Sequence, residues 1–345
     1  MLFKRIHRYL GLLLCLIMLS ISLTGCLLIW KPEYLWLTIY QARETQNHES
    51  GFLVDAIESI EKHHPSGSIK LIQIFSENLA LHKVFLSNQQ YAWHDQRGDL
   101  VQQWGSKQRI EDWLLDLHHR FLLGDTIGLN IAGFGGLLLI PLILMGLFIW
   151  WPRRRFLKIG VIPKSVRHGS LIGSHSNLGF LSIIPILIVS ISGVILVYPT
   201  QARNILLPKA NNNLLASAVV KHTLPITNWS DRLATASSLY PQSKIRWVSP
   251  ATVKYPNVSV GLQQVQAWNR MGNTTLSFMD GTLTSNQNAL ARSTALRLMD
   301  FTFPLHTGKL DLWYRLLLTV FGLLLGSVSV LGLTCYIRRR IEQKV

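Results

Sequence analysis

Two apolar stretches of the chain share one pattern, and each is long enough to cross a lipid bilayer. Residues 7–30 read HRYLGLLLCLIMLSISLTGCLLIW, and residues 175–198 read HSNLGFLSIIPILIVSISGVILVY. At about 1.5 Å per helical residue, such a stretch spans the hydrocarbon core of a bilayer, which is roughly 30 Å thick. The two stretches match at a constant offset of 168 residues: His7 and His175, Leu10 and Leu178, Gly11 and Gly179, Ser22 and Ser190, Gly25 and Gly193, Leu28 and Leu196. We interpret the match as an internal duplication of a membrane-spanning unit.

Composition and charge favour a membrane protein over a nucleic-acid-binding one. Hydrophobic residues make up 48% of the 345 residues, charged residues make up 15%, and the mean hydropathy is +0.25. The formal net charge is +16, and 13 of the 34 Lys and Arg residues flank the apolar stretches on short segments that hold one acid, Glu342. These cations are Lys4, Arg5, Arg8, Arg153, Arg154, Arg155, Lys158, Lys164, Arg167, Arg338, Arg339, Arg340 and Lys344. The distribution follows the positive-inside rule, so we expect the lipid bilayer, and no nucleic acid, as a partner.

The same pattern predicts a membrane α-helical fold, a four-helix transmembrane bundle from a tandem duplication, with two α+β modules outside the membrane. The predicted segments are transmembrane helix 1 at 1–31, module 1 at 32–117, helix 2 at 118–152, a basic cytoplasmic loop at 153–174, helix 3 at 175–199, module 2 at 200–305, and helix 4 with a basic tail at 306–345. The basic residues place both termini in the cytoplasm and both modules in the periplasm or cell exterior.

Each module is predicted to hold a helix followed by short strands. In module 1 the helix covers 52–63, the strands cover 70–75, 83–86, 91–94 and 99–101, and the turn covers 95–98. The spacing of Asp55, Pro65 and Ile69 recurs in module 2 at Asp231, Pro241 and Ile245. Module 2 is also predicted to have a strand at 258–265 and a hairpin turn at 280–281.

A lipoprotein signal is an alternative interpretation of the first span, since Leu23-Thr24-Gly25-Cys26 is similar to a lipobox. The apolar run continues past Cys26 to Trp30, and the Ser-x-x-Gly flank recurs in the internal span, where no signal peptidase acts. The transmembrane interpretation is therefore preferred. Because the three cysteines all lie in apolar spans, we expect neither a structural disulfide nor a CxxC centre.

Histidines at the ends of the spans are the candidate site. A histidine in a membrane span is costly unless it has a partner, and the duplication pairs His7 with His175 and His118 with His306 at equal depths. Two apposed imidazoles are suitable axial ligands for a haem iron, so the pairs predict two bis-His haem b groups. Zinc is a weaker candidate because neither pair has an evident third or fourth ligand.

Several details of this site stay open at the level of sequence. The choice between His118 and His119 is open: His118 is favoured because it follows a leucine as His306 does, and His119, about 100° away on a helix, can instead face water or a propionate. The arginines at 153–155 and 338–340 most simply set the topology, and pairing with haem propionates is the weaker alternative for them and for Arg8 and Arg120. The remaining histidines lie in polar segments and predict no ligand role: His48, His63, His64, His82, His94, His168 and His222.

Motifs for other chemistry are missing. The sequence has no GxGxxG motif after a strand, no Walker loop, and no GxSxG or HExxH motif. The one cytoplasmic loop is too short for a flavin or nicotinamide domain. Electrons must therefore come from a membrane quinol or from a redox partner protein.

The ordered motifs of the chain resemble the PepSY-associated transmembrane helix family over nearly its whole length. They are HxxLG at 7–11 and 175–179, LHHRxLLG at 117–124, WWPRR at 150–154 and PLHTG at 304–308. The resemblance implies an iron-regulated inner-membrane protein of Gram-negative bacteria that reduces ferric siderophores in the periplasm. It also implies a haem ligand set of His7, His118, His175 and His306. The second module departs from the PepSY pattern at Phe278-Met279-Asp280-Gly281.

The leading hypothesis is therefore a di-haem membrane reductase that passes electrons to a ferric siderophore. The first alternative is a membrane protein whose PepSY-like modules bind or regulate a partner without redox chemistry. The second is a siderophore uptake component, which we consider weaker because no pair of broken helices is expected, apart from kinks at Pro141 and Pro185.

Overall fold

The computed structural model describes residues 2–44, 50–74, 79–156, 160–207 and 226–343. These residues form two units, named here the helical unit (1–30, 110–202 and 302–345) and the sheet unit (31–109 and 203–301). Five residues named in the sequence predictions lie outside the described residues: His48, Phe75, Lys158, His222 and Lys344.

The helices and strands alternate between the two units along the chain. The helices are α1 Leu2–Ile29, α2 Lys31–Thr38, α3 Ser50–His63, α4 Ile110–Arg120, α5 Gly124–Trp150, α6 His168–Leu181, α7 Ile183–Val197, α8 Pro199–Leu206, α9 Trp229–Leu239, α10 Thr294–Thr307 and α11 Leu312–Glu342. The strands are β1 Ile69–Gln73, β2 Leu81–Leu86, β3 Gln90–Asp95, β4 Leu100–Gly105, β5 Lys244–Ser249, β6 Val258–Gln263, β7 Thr274–Met279 and β8 Thr282–Gln287.

Within the described residues, three helices, α1, α5 and α11, are long and apolar enough to span a membrane. The sequence predicts helix 3 at 175–199 with a kink at Pro185, and in the structure α6 and α7 meet at Ser182 with a bend of 64° and qualify as a span only together. Pro185 explains the break, since it offers no N–H to the carbonyl of Leu181 and its ring crowds that carbonyl. Ser182 stabilises the break by donating its hydroxyl to the carbonyl of Leu178 at 2.6 Å.

The predicted bounds differ from the structure at the other histidines as well. His118 lies on α4 and His306 on α10, which are separate helices that precede the spans α5 and α11. Positive φ angles end α4, at 49° for Phe121 and 61° for Leu122, and Gly308 at 74° follows α10. Such angles lie outside the helical region, so the chain turns before each span begins. In addition, α6 begins at His168, inside the segment predicted as a loop.

Small residues bring the spans of the helical unit close together. A Cβ atom built on Gly322 of α11 would lie 2.4 Å from the sulfur of Cys26 on α1, and one built on Gly326 would lie 3.0 Å from the hydroxyl oxygen of Ser22. Gly136 of α5 likewise allows α7 to approach, since a Cβ built there would lie 3.1 Å from Val194. The helix α1 continues through Cys26 to Ile29.

The sheet unit is built on one antiparallel sheet of eight strands in the order β4-β3-β2-β1-β5-β6-β7-β8. Sequence patterns predicted two separate modules, and the structure joins them where Ile72 and Gln73 of β1 pair with Val248 and Trp247 of β5. Each half runs from a helix into a four-strand meander, and the apolar faces of α3 and α9 share one buried core with the sheet. The predicted hairpin turn at Asp280 and Gly281 is confirmed by positive φ angles of 50° and 72°.

Candidate functional site

The helical unit brings four of the predicted histidines together in two pairs. The ring centres of His7 on α1 and His175 on α6 lie 6.3 Å apart. Those of His118 on α4 and His306 on α10 lie 6.2 Å apart. The pairings predicted from the duplicated pattern are therefore the pairings that the helices produce.

The first pair is held by backbone carbonyls of the neighbouring spans. Nδ1 of His7 lies 3.2 Å from the carbonyl oxygen of Leu142 on α5, and Nδ1 of His175 lies 3.1 Å from that of Val328 on α11. A carbonyl oxygen can only accept a hydrogen bond, so Nδ1 is the protonated nitrogen of each ring. The lone pair of each neutral ring is then on Nε2, which is the atom that remains for a ligand bond.

The second pair is held by hydroxyl groups instead. Nδ1 of His118 lies 3.0 Å from the hydroxyl oxygen of Thr24, and Nδ1 of His306 lies 3.0 Å from that of Ser192. Both hydroxyls donate their own hydrogen to the carbonyl one turn earlier, at 2.7 Å for Thr24 and 2.8 Å for Ser192. Each hydroxyl oxygen therefore accepts from the imidazole, and again Nε2 keeps the lone pair.

A glycine lies against the Cε1 atom of each of the four rings. Cβ atoms built on these glycines would lie only 3.0 to 3.3 Å from Cε1: Gly146 against His7, Gly332 against His175, Gly25 against His118 and Gly193 against His306. A side chain at any of these positions would push the ring away. Glycine therefore allows the neighbouring helix to pack directly against each imidazole. Sequence analysis named Gly25 and Gly193 only as parts of the repeat and did not find the other two.

A cavity of about 350 Å³ surrounds the first pair. Its wall is mostly apolar, and its volume lies within the range of about 300 to 1,000 Å³ that is usual for ligand and cofactor sites. His168 also lines this cavity, with Nδ1 3.2 Å from the carbonyl oxygen of Cys335. Sequence analysis predicted no ligand role for His168 and did not place it near His175, although it lies seven residues, or about two helical turns, before that residue.

His118 and His119 have different surroundings in the structure. The ring of His118 faces His306, whereas His119 lies beside His118 with ring centres 5.5 Å apart. Arg120 pairs with two carboxylates, that of Asp116 at 3.3 Å and that of Asp125. Its guanidinium is therefore already neutralised within its own segment, whereas Arg8 lines the cavity of the first pair.

The sheet unit holds a third group of histidines with a different arrangement. Nε2 of His64 lies 2.9 Å from Nε2 of His94, and Nδ1 of His94 donates to the carbonyl of Gly98 at 2.8 Å. Both side chains are buried, as is that of His82, the cross-strand neighbour of His94. Burial lowers the pKa of His82 and of His94 to about 4, so both rings are neutral at pH 7.

Comparison with known families places the whole chain. The model of the family described as the PepSY-associated TM region matches residues 4–339. The chain belongs to this family. It is therefore a multi-pass membrane protein of the PepSY-associated TM region family, consistent with its three apolar helices and its antiparallel sheet. None of the curated proteins matches the chain.

The histidine pairs of this PepSY-associated TM protein fit the axial ligands of a haem. An imidazole nitrogen lies about 2 Å from the metal that it binds, and about 1 Å from its own ring centre, so two ligands on opposite sides of one metal have ring centres about 6 Å apart. The observed separations are 6.3 and 6.2 Å. Within the described residues, no group of three or more His, Cys, Asp or Glu side chains could hold a metal ion, whereas a haem requires only two protein ligands.

Proposed function

We propose that this protein is a di-haem reductase of the bacterial inner membrane that delivers electrons to a ferric siderophore in the periplasm. In this proposal His7 and His175 hold one haem b, and His118 and His306 hold the other. The observation that supports it most strongly is the matched pair geometry, in which every Nδ1 is satisfied and every Nε2 keeps a lone pair.

The contacts of the two halves support a tandem duplication and a bundle of four spans, with the bent pair of α6 and α7 as one of them. His7 contacts Leu142 and Gly146 on α5, and His175 contacts Val328 and Gly332 on α11, so both contacts recur at one offset of 186 residues. Likewise, Thr24 and Gly25 contact His118 as Ser192 and Gly193 contact His306. Thr24 and Ser192, like Gly25 and Gly193, are 168 residues apart. A two-fold axis along the membrane normal would relate such repeats.

The chain's own residues would hold and insulate the redox groups. The four imidazoles supply the ligands, and the four glycines let the neighbouring helices pack against these rings. The apolar wall of the cavity excludes water from the first pair. Haem, when bound, supplies one-electron transfer. A membrane quinol or a partner protein donates one electron for each ferric ion, and Fe(II) then leaves because hard oxygen ligands hold it less tightly than Fe(III). The positive-inside rule directs the basic termini to the cytoplasm.

Haem quantitation on the purified full-length protein tests this proposal. We expect two haems per chain and a low-spin b-type band in the reduced-minus-oxidised spectrum, with one haem lost in His175→Ala and one lost in His306→Ala. His168→Ala is the matched control, because His168 lines the same cavity but has no ring partner across it, and it should keep both haems. A parallel His119→Ala variant decides between His118 and His119.

A folded but colourless preparation from haem-replete cells would contradict the reductase and favour the non-redox binding protein. Siderophore uptake is the second candidate, since the bent pair of α6 and α7 is a broken span close to Pro185, where a kink was expected. Discontinuous helices form substrate sites in many transporters. Vesicles that accumulate a ferric siderophore without producing Fe(II) would favour uptake.

A further inference from the structure

A basic pocket of about 570 Å³ lies at the end of the helical unit where α1 begins and α11 ends. Eight residues line it: Lys4, Arg5, Arg8, Tyr9, Tyr336, Arg339, Arg340 and Gln343. Five of the eight are cations, and none carries a carboxylate. We refer to these eight residues as the basic pocket.

The antiparallel packing of α1 against α11 creates this convergence of charge. Cys15 bonds to the carbonyl of Ser329, and Ser22 lies against Gly326, so the start of α1 meets the end of α11. Helical spacing then sets the cations of α1 opposite those of α11, with three on one helix and two on the other. Like charges held together in this way repel one another, so the arrangement favours an anion between them.

Among the described residues, the neighbouring groups do not supply that anion. The first turn of α1 contains no acidic residue, although the helix macrodipole favours negative charge there. The short segments at this end of the spans (1–30, 151–174 and 331–345) contain one acid, Glu342. Its carboxylate accepts the backbone N–H of His168 at 3.0 Å, and Glu342 does not line the pocket.

The chemistry of the lining points to phosphate groups with attached acyl chains. Arginine binds phosphate through parallel N–H donors, and cations on two helices can each hold a separate phosphate. Large apolar side chains beside the pocket are exposed, including Leu2 (69%) and Phe3 (52%) on α1 and Ile341 (48%) on α11. In a membrane protein such side chains contact acyl chains.

We propose that the basic pocket binds an anionic phospholipid that carries two phosphate groups, with its acyl chains along the exposed apolar residues of α1 and α11. Basic pockets between transmembrane helices are suited to such headgroups. Lys4, Arg8, Tyr336 and Arg339 line both this pocket and the cavity of the first histidine pair, so the headgroup lies at the mouth of that cavity. The proposal does not depend on haem.

Lipid titration of the delipidated full-length protein in detergent tests the proposal. The probes are cardiolipin, phosphatidylglycerol, phosphatidylcholine and inorganic phosphate, and the readouts are bound lipid in native mass spectrometry and the unfolding temperature. The double variant Arg8→Gln/Arg339→Gln removes one pocket cation from each helix. The matched control, Arg154→Gln/Arg338→Gln, removes two basic residues that do not line the pocket.

We expect wild type and control to bind cardiolipin most tightly, and the pocket variant to bind it about tenfold more weakly or worse. Equal losses in both double variants would overturn the proposal, because they would indicate unspecific attraction to basic residues. Equal stabilisation by inorganic phosphate would overturn the lipid assignment in favour of a soluble anion. If the Gln variant does not fold, Arg8→Lys/Arg339→Lys keeps the charge but removes the guanidinium groups. Weaker cardiolipin binding by this variant, with the preference for cardiolipin over the other probes unchanged, would support the arginine contacts.

Haem propionates are the competing occupant of the shared cations. The titration is therefore repeated on protein from haem-depleted cells, with haem content measured on each sample. Lipid binding that is unchanged by haem depletion supports the proposal. Weak lipid binding in every sample, together with haem loss in the pocket variant, would assign these cations to propionates instead.

Discussion

Histidines are used in opposite ways in the two units of the molecule. In the helical unit, paired rings have centres 6.2 to 6.3 Å apart, and their hydrogen bonds, within the described residues, use Nδ1. In the sheet unit, the rings of His64 and His94 have centres 5.1 Å apart and bond directly through Nε2. The imidazole therefore keeps a lone pair available in the helical unit, whereas in the sheet unit the lone pair accepts a hydrogen bond from another imidazole.

The difference teaches that burial alone does not identify a ligand histidine. His94 is fully buried and His64 nearly so, yet the two satisfy each other and the carbonyl of Gly98. In the helical unit a separate group satisfies each Nδ1, and a glycine leaves room at each Cε1. The anchored nitrogen, together with the gap between the rings, is what distinguishes a candidate ligand pair from a satisfied core pair.

The largest expected effect comes from filling the space of one helical-unit glycine. In Gly25→Leu the new side chain collides with His118, because even a Cβ would lie 3.0 Å from its Cε1 atom. We expect one of the two proposed haems to be lost while the haem of His7 and His175 stays. Haem content and the reduced-minus-oxidised spectrum provide the measurement.

Gly173→Leu is the control for this variant. Gly173 also lies in a helix of the helical unit, but a Cβ built there has no neighbour within 4 Å. The control should keep both haems. Loss of both haems in Gly25→Leu, or of one in the control, would show that the glycines support general helix packing rather than one particular ring pair.

The next effect, on stability, concerns the sheet unit and its dependence on pH. Burial lowers the pKa of His82 and His94 from 6.5 to about 4, so the folded state binds fewer protons than the unfolded state between these values. Stability is therefore complete above pH 6.5 and is lost as the pH falls toward 4, by roughly 3 kcal/mol for a fully buried ring. Pulse proteolysis of the full-length protein in urea, with sheet-unit fragments identified by mass spectrometry, measures this loss.

Two variants sharpen that measurement. His82→Leu removes one buried titrating ring, so its urea midpoint should fall less between pH 7 and pH 4 than that of wild type. His63→Gln changes an exposed ring that bonds to the carbonyl of Ser59 and whose centre lies 5.6 Å from that of His94, so it should alter the profile less than His82→Leu does. A midpoint in wild type that does not change with pH would contradict the burial argument.

Sequence patterns predicted the spans, the strands and the ring pairs because these follow from short periodicities and from the repeat. They failed in two respects. Kinks were expected at Pro141 and Pro185 alike, yet Pro141 lies inside α5 without a break while the helix before Pro185 ends at a bend at Ser182, so proline alone does not predict a break. The pairing of β1 with β5 joins residues more than 170 positions apart, and no local pattern encodes it.

The anchors of the histidines show the same limit within the site. Thr24 and Ser192 lie at equivalent positions of the repeat, so their shared role could have been inferred from the sequence. The carbonyls of Leu142 and Val328 leave no such signal, because any residue presents a carbonyl. Gly146 and Gly332 are two among the 24 glycines of the chain, and only the fold singles them out.

The smallest expected effect tests those anchors directly. Thr24→Val keeps the shape of the side chain but removes the hydroxyl that accepts from Nδ1 of His118, and Ser192→Ala does the same for His306. Because such outer contacts orient a ligand and raise its basicity, we expect haem affinity at that pair to fall roughly 10-fold to 100-fold. The spectrum of the other pair should not change, since its anchors are backbone carbonyls. Ser22→Ala is the control, as its hydroxyl bonds only to the carbonyl of Leu19 on the same helix. If Ser22→Ala and Thr24→Val weaken haem retention equally, the hydroxyls act through the stability of α1, and the two ring pairs differ in their anchors without differing in function.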